Sequence, residues 1–158
     1  MAFSNNATRL LDSRKVTYTV HEYDSGVHSA LEVAGAVGLH ENQVFKTLVA
    51  LPDQPYAKPI LAIIAGPDTL DLKRLAKALN VKKTRMASHA QAEELTGLQT
   101  GGISALALMN RGFRIFLDAH ALEHPTIAVS AGQRGVNLEL APDDLIKVTK
   151  AKVVELVE

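Results

Sequence analysis

Phe45-Lys46-Thr47-Leu48-Val49-Ala50-Leu51, followed by Pro52-Asp53-Gln54-Pro55 and the apolar run Lys58 to Ala65, is the stretch that decides the fold. The first run is apolar except for Lys46 and Thr47, the second is apolar nearly throughout, and two prolines turn the chain between them. Short apolar runs bounded by turn residues read as neighbouring buried strands joined without a helix. Lys46 is the exception within them. An ammonium near the start of a buried strand must either reach water along its own stem or meet an anionic partner, because burying it unpaired is costly.

Working outward, a helix is expected from Asn5 or Asn6 to Arg14, with Ala7, Leu10 and Leu11 on one face. Val16 to Tyr23 alternates apolar and polar residues as a half-buried strand does. Ser29-Ala30-Leu31-Glu32 has capping-box spacing, and the helix it opens turns Val33, Ala34 and Val37 inward before stopping at Gly38. Beyond the strand pair, Asp71 caps a helix to Asn80 whose Leu72, Leu75, Ala76 and Leu79 face the core. A short strand around Thr84 to Ala87 leads to Ser88 and Gln91, a second capping box. That helix has Ala92 and Leu95 inside and Gly97 as its stop. Apolar Leu106-Ala107-Leu108-Met109 and a turn at Asn110-Arg111-Gly112 precede strands at Phe113 to Asp118, Thr126 to Ala131 and Val136 to Leu140. A helix from Pro142, with Asp143 and Asp144 in its first turn, and a strand from Lys152 to Leu156 complete the chain. Strands cluster without strict strand-helix alternation, and no Gly-x-Gly-x-x-Gly follows the first strand, so a Rossmann unit is not expected. The fold class is α/β of the α+β kind: a mixed, partly barrel-like β-sheet surrounded by helices.

With 158 residues, 47% of them hydrophobic and 22% charged, the chain is expected to fold as one domain rather than remain disordered. No apolar run approaches the ~18–20 residues that span a bilayer. Met1-Ala2-Phe3-Ser4-Asn5-Asn6 lacks the basic start and apolar stretch of a signal peptide, so a cytoplasmic protein without a membrane partner is expected. The absence of cysteine removes disulfides, thiolate metal ligands and a thiol nucleophile. Zero formal net charge argues against bulk adhesion to nucleic acid. Locally, however, Lys73, Arg74, Lys77, Lys82, Lys83 and Arg85 form a stripe with no acidic residue among them, either a solvated face or an RNA contact.

Two glycine-rich turns stand out, Gly97-Leu98-Gln99-Thr100-Gly101-Gly102-Ile103-Ser104-Ala105 and Gly132-Gln133-Arg134-Gly135. The first reads either as a binding loop that aims backbone N–H groups at an oxygen, or as a helix stop followed by a tight turn. Leu106 stands where a Gly-x-Ser-x-Gly elbow needs its second glycine, so Ser104 is not expected to be a hydrolase nucleophile. Asp118, His120 and His124 have spacing compatible with one metal, but Pro125 follows at once and no further ligand is in sight, so neither a metal nor a cofactor is expected. From the residues alone, the chain offers an anion-and-backbone binding pocket without an evident catalytic base.

Five segments resemble, in order, the YbaK family of aminoacyl-tRNA deacylases, free-standing relatives of the editing insertion domain of bacterial prolyl-tRNA synthetases. They are Ala30 to Ala34, Gln43 to Leu48, Leu70 to Leu79, Gly101-Gly102-Ile103-Ser104 and Val129 to Gly135. The resemblance implies hydrolysis of mischarged tRNA(Pro), with Cys-tRNA(Pro) the typical substrate. Ala-, Ser- or Thr-tRNA deacylation and non-catalytic binding of a tRNA end are the alternatives. It implies catalytic roles for Lys46 on phosphate or ribose and for the Gly101 and Gly102 N–H groups on the ester carbonyl. Tyr23, Ser29, Thr47, Ile103, Ser104, Asp118, Ser130 and Arg134 are expected to shape the substrate pocket, and Lys73 to Arg85 to touch the tRNA body. Attack by the substrate's own thiol would account for the missing base. The implied partners are tRNA and a prolyl-tRNA synthetase. Two departures are visible: Ala105 replaces a proline of the family loop, and His28-Ser29 stand where some cysteine deacylases carry a bulky aromatic.

Overall fold

Side-chain caps set where the helices begin. The computed structural model describes residues 3–27 and 29–158; the expectations for His28 and for Met1 and Ala2 lie outside the described residues. Asn5 accepts from Thr8 N and starts α1, Asn6–Ser13. Ser29 accepts from Glu32 N and starts α2, Ala30–Val37; Glu32 answers on the Ser29 hydroxyl rather than on its backbone N–H. Asp71 accepts from Lys73 N and Arg74 N to open α3, Leu72–Leu79. Ser88 and Gln91 form a full capping box ahead of α4, His89–Thr96. Pro142 begins α5, Pro142–Thr149. Each side-chain cap satisfies N–H groups that the helix leaves open, at about 1 kcal/mol.

The strands are β1 Tyr18–Glu22, β2 Phe45–Pro52, β3 Ile60–Ala65, β4 Thr84–Met86, β5 Arg114–Asp118, β6 Ile127–Ser130, β7 Val136–Leu140 and β8 Lys152–Val154. They form a five-stranded sheet of order β4-β2-β3-β5-β8 and a three-stranded sheet of order β1-β7-β6. β2 and β3 are an antiparallel hairpin with Lys46 opposite Ile64, whereas β3–β5 and β5–β8 are parallel, so the larger sheet is mixed. A single Val44–Ala128 bridge joins the two sheets, and no closed barrel forms among the described residues.

β3 is buried from end to end because it is covered on both faces. Ile60, Ala62 and Ile64 pack with Leu75 and Leu79 of α3 and with Leu156 beyond β8. Leu61, Ile63 and Ala65 pack against Ile127, Val129 and Leu138 of the smaller sheet. A strand covered on both sides loses the alternating pattern, which is why it reads as a continuous apolar run. Each fully buried Ile or Leu contributes about 1.5–3 kcal/mol.

Three local expectations are corrected. Ala92 and Thr96, not Leu95, face the core from α4: Thr96 is buried with its hydroxyl donating to Ala92 O at 2.7 Å, and Leu95 is 37% exposed. Residues Ala119–Glu123 coil into a 3₁₀ turn that the pattern did not suggest. The strands at both chain ends are shorter than their apolar runs, since pairing partners stop at Tyr18–Leu140 and Asp118–Val154. No described helix is long and apolar enough to cross a membrane.

Candidate active site

β4 pairs with β2 only from Ala50 to Pro52, extended by an Ala87 N–H bond to Val49 O. The edge of β2 between Phe45 and Val49 has no partner strand there among the described residues and forms one wall of a cavity of about 400 Å³. Val27, Ala30, Val33 and Val44 line an apolar end; Met86, Ala87, His89 and Ala92 come from β4 and α4. The two glycine turns supply Thr100, Gly101 and Ile103 on one side and Ser130, Arg134 and Gly135 on another, with Asn137 behind. Such a volume suits a small ligand or the end of a larger one.

Lys46 reaches into this cavity with its Nζ donating to Gly66 O at 2.8 Å. Burial lowers its pKa, and the nearby Asp68 carboxylate opposes that shift. An ammonium has three donors, and the Gly66 carbonyl is the acceptor among the described residues, so two remain for a ligand's oxygens. Gly66 holds its place because a Cβ there would sit 2.1 Å from the Ala30 Cβ of α2. The close approach of α2 to the end of β3 thus places the carbonyl that orients Lys46.

The loop after α4 is a type II turn. Gly102 N donates to Gln99 O at 2.8 Å and Gly101 has φ +90°, while Thr100 is not in the left-handed region. The Gly101 N–H has no acceptor among the described residues. The Gly102 N–H is occupied by Gln99, and Gly102 does not line the cavity, so the expected pair of backbone donors reduces to Gly101. Gly102 has a packing reason instead: a Cβ there would meet Arg134 N and Gln133 C at 2.9 Å.

Tyr23, Ser29, Thr47, Ile103, Ser130 and Arg134 line the cavity together with Lys46. Tyr23 donates its hydroxyl to Asn137 Oδ1 at 3.2 Å, and burial raises its pKa. The Ser29 hydroxyl is engaged in the α2 cap, and Ser130 Oγ accepts from Gly132 N at 3.1 Å. Arg134 Nε donates to Thr100 O at 2.8 Å.

Ser104 and Asp118 lie outside the cavity. Ser104 is buried, and its Oγ accepts from Ala107 N at 3.3 Å, the local capping bond of a turn serine. Asp118 is fully buried; Oδ1 accepts from Leu156 N at 2.9 Å and Oδ2 from His120 Nδ1 at 2.8 Å, so it ties the 3₁₀ turn to the end of the chain. His124 packs edge-on against Phe45 rather than beside Asp118 and His120.

The basic stripe divides. Arg74 pairs with Asp71 at 3.4 Å and Glu155 at 3.1 Å and, with Lys77 and Lys152, borders a shallow groove at the β8 edge. Lys82, Lys83 and Arg85 run instead into β4 at the opposite edge, next to cavity-lining Met86. Lys73 is exposed on α3.

Gly66, Asn137, Thr100, Met86 and His89 were not anticipated as cavity residues. Asn137 lies between buried Val136 and Leu138, where alternation reads as an outward polar position. Gly66 shows only a turn residue after a strand, and the contact with Ala30 that gives it meaning spans a distance no local pattern reports.

Residues 24–148 match the family described as the aminoacyl-tRNA editing domain. A protein of Enterococcus faecalis named "Putative Cys-tRNA(Pro)/Cys-tRNA(Cys) deacylase EbsC" is 37% identical over 96% of this chain and 92% of its own length. The proline–tRNA ligase of Streptococcus sanguinis is 32% identical over 68% of this chain, which spans only 17% of that enzyme. A crystal structure described as a putative trans-editing enzyme for prolyl tRNA synthetase superposes with a TM-score of 0.82 at 26% identity, covering 99% of each chain. By sequence and by fold, this chain belongs to the aminoacyl-tRNA editing domain family.

Proposed function

We propose that the protein is a trans-editing aminoacyl-tRNA deacylase acting on mischarged tRNA(Pro), with Cys-tRNA(Pro) the preferred substrate. The observation that carries this reading is the pairing, in the lining of one cavity of about 400 Å³, of a partly desolvated Lys46 ammonium with Gly101, whose N–H has no acceptor among the described residues. The family and the name of the Enterococcus faecalis relative support it. Lys46 binds an oxygen of the terminal ribose or phosphate. Gly101 donates to the ester carbonyl oxygen as it gains charge. Among the described cavity residues, the hydroxyl that meets a carboxylate is that of Ser29, and its bonds with Glu32 close the α2 cap; Ser130 Oγ accepts from backbone and Tyr23 bonds to Asn137.

A substrate cysteine supplies what the pocket lacks. Its sulfur attacks its own carbonyl carbon, the C–O bond to the ribose breaks, and the ribose oxygen takes up the thiol proton. The resulting thiolactone is then opened by water. A thiol is the best of the side-chain nucleophiles near neutral pH, so cysteine esters should react faster than serine esters. The tRNA body lies along Lys82, Lys83 and Arg85, the part of the stripe that leads through β4 to cavity-lining Met86 and Ala87, and a prolyl-tRNA synthetase is the partner that hands over the mischarged tRNA. Its place of work is the cytoplasm, with the translation apparatus.

Incubating the protein with Cys-, Ala-, Ser- and Pro-tRNA(Pro) and following ester loss tests this directly. Cys-tRNA(Pro) should be cleaved fastest and Pro-tRNA(Pro) spared. Preferential loss of alanine or serine would reassign the substrate, and no loss from any would leave a tRNA-end binding module.

A further inference from the structure

We propose that Glu93 is a positioning residue for this deacylation: with Arg134 it locks the Gln99–Gly102 turn in the form that presents the Gly101 N–H, rather than the Thr100 carbonyl, to the substrate. The inference rests on the deacylase reading above. Types I and II differ by rotation of the turn's central peptide, here the unit joining Thr100 to Gly101. In a trans peptide the C=O and N–H point in opposite directions. Whatever holds the Thr100 carbonyl therefore aims the Gly101 N–H.

Arg134 holds that carbonyl, with its Nε donating to Thr100 O at 2.8 Å. The contact comes from the second glycine turn, whose backbone lies against Gly102 too closely for any Cβ. Glu93, on α4, accepts the Thr100 N–H at 2.9 Å through Oε2. The peptides on both sides of Thr100 are thus fixed, one by an anion and one by a cation. The Thr100 amide keeps the Glu93 carboxyl below the usual carboxylate range, and the Arg134 charge adds to this. A charged donor on the Thr100 carbonyl also polarises the same peptide's N–H and makes it a better donor. Without the latch, a flipped central peptide would offer an acceptor to an oxygen gaining negative charge.

Glu93 is on the surface and outside the cavity lining, so its loss should leave the fold intact while changing turnover. Steady-state kinetics on Cys-tRNA(Pro) compare wild type, Glu93→Ala and Glu93→Gln. Glu93→Ala should lower kcat about 10- to 100-fold, short of the ~10²–10³ lost when an oxyanion donor is deleted, because the turn still samples the correct form. KM should stay within about twofold, since ground-state contacts are retained. Glu93→Gln keeps an acceptor oxygen and should recover most of kcat. Arg134→Lys, which loses the planar donor, should lower kcat similarly, and the Glu93→Ala/Arg134→Lys pair should fall little further than the worse single variant. Wild-type kcat in Glu93→Ala, or additive losses in the pair, would overturn the latch while leaving the deacylase reading standing. A wild-type protein that cleaves no ester would overturn that reading and the latch's role with it.

Discussion

Gly102→Ala is the sharpest test of how the two glycine turns fit together. The new Cβ would stand 2.9 Å from Arg134 N, 2.9 Å from Gln133 C and 3.0 Å from Gln133 Cα. Ordinary carbon contacts begin near ~3.5 Å. The second turn must therefore withdraw by about half an ångström, and because the obstructing atoms are backbone, no rotamer change relieves the clash. Overpacking of this kind costs about 1–3 kcal/mol. For a chain of this size ~2 kcal/mol corresponds to a fall of about 4–8 °C in melting temperature. The same withdrawal moves Arg134 Nε from Thr100 O, so ester cleavage should fall as well. Gly97→Ala is the control: it meets nothing within 4 Å and bears only the cost of its +73° φ, so it should lose stability without a comparable loss of turnover. Differential scanning calorimetry with a parallel Cys-tRNA(Pro) assay reads both quantities. A Gly102→Ala protein that melts with wild type and cleaves at the wild-type rate would refute the packing argument.

Gly35, inside α2, has open space around it, so Gly35→Ala should raise stability by about 0.5–1 kcal/mol in chemical denaturation. Ala105 has φ −61°, the value proline fixes, and its N–H has no acceptor among the described residues; Ala105→Pro should add about 0.4–1 kcal/mol by the same measurement. The His120 pKa is raised, first by its hydrogen bond to Asp118 and then by the Asp118 charge. Its contribution to stability is therefore complete below the unfolded value of ~6.5 and is lost as pH rises through the higher folded value. Melting curves across that window should show a downward step in wild type that His120→Gln lacks.

Features whose causes are local could be read directly. The caps at Ser29, Asp71 and Ser88 bond within three residues of themselves, so spacing announces them. The β2–β3 hairpin follows from two apolar runs and a proline turn. Features decided across the chain could not be read in this way. Asp118 looks like a pocket carboxylate until the Leu156 amide, brought back by β8, claims it. Gly102 looks like a second backbone donor until the turn closes onto Gln99. Leu95 has helical spacing for the core, yet the small pair Ala92 and Thr96 makes the contact. Glu93 has no signal in its own neighbourhood, because its partner is a loop amide seven residues on and its counter-charge sits in another turn.

The central claim, that the cavity holding Lys46 and Gly101 cleaves an aminoacyl ester, is tested most directly by release of cysteine from Cys-tRNA(Pro) under wild type and Lys46→Ala at equal concentration. Lys46→Ala should remove ~10²–10³-fold of the rate. Leaving Gly66 O without its donor should cost only about 1 kcal/mol of stability. Cysteine release by a folded Lys46→Ala protein at the wild-type rate would contradict the account.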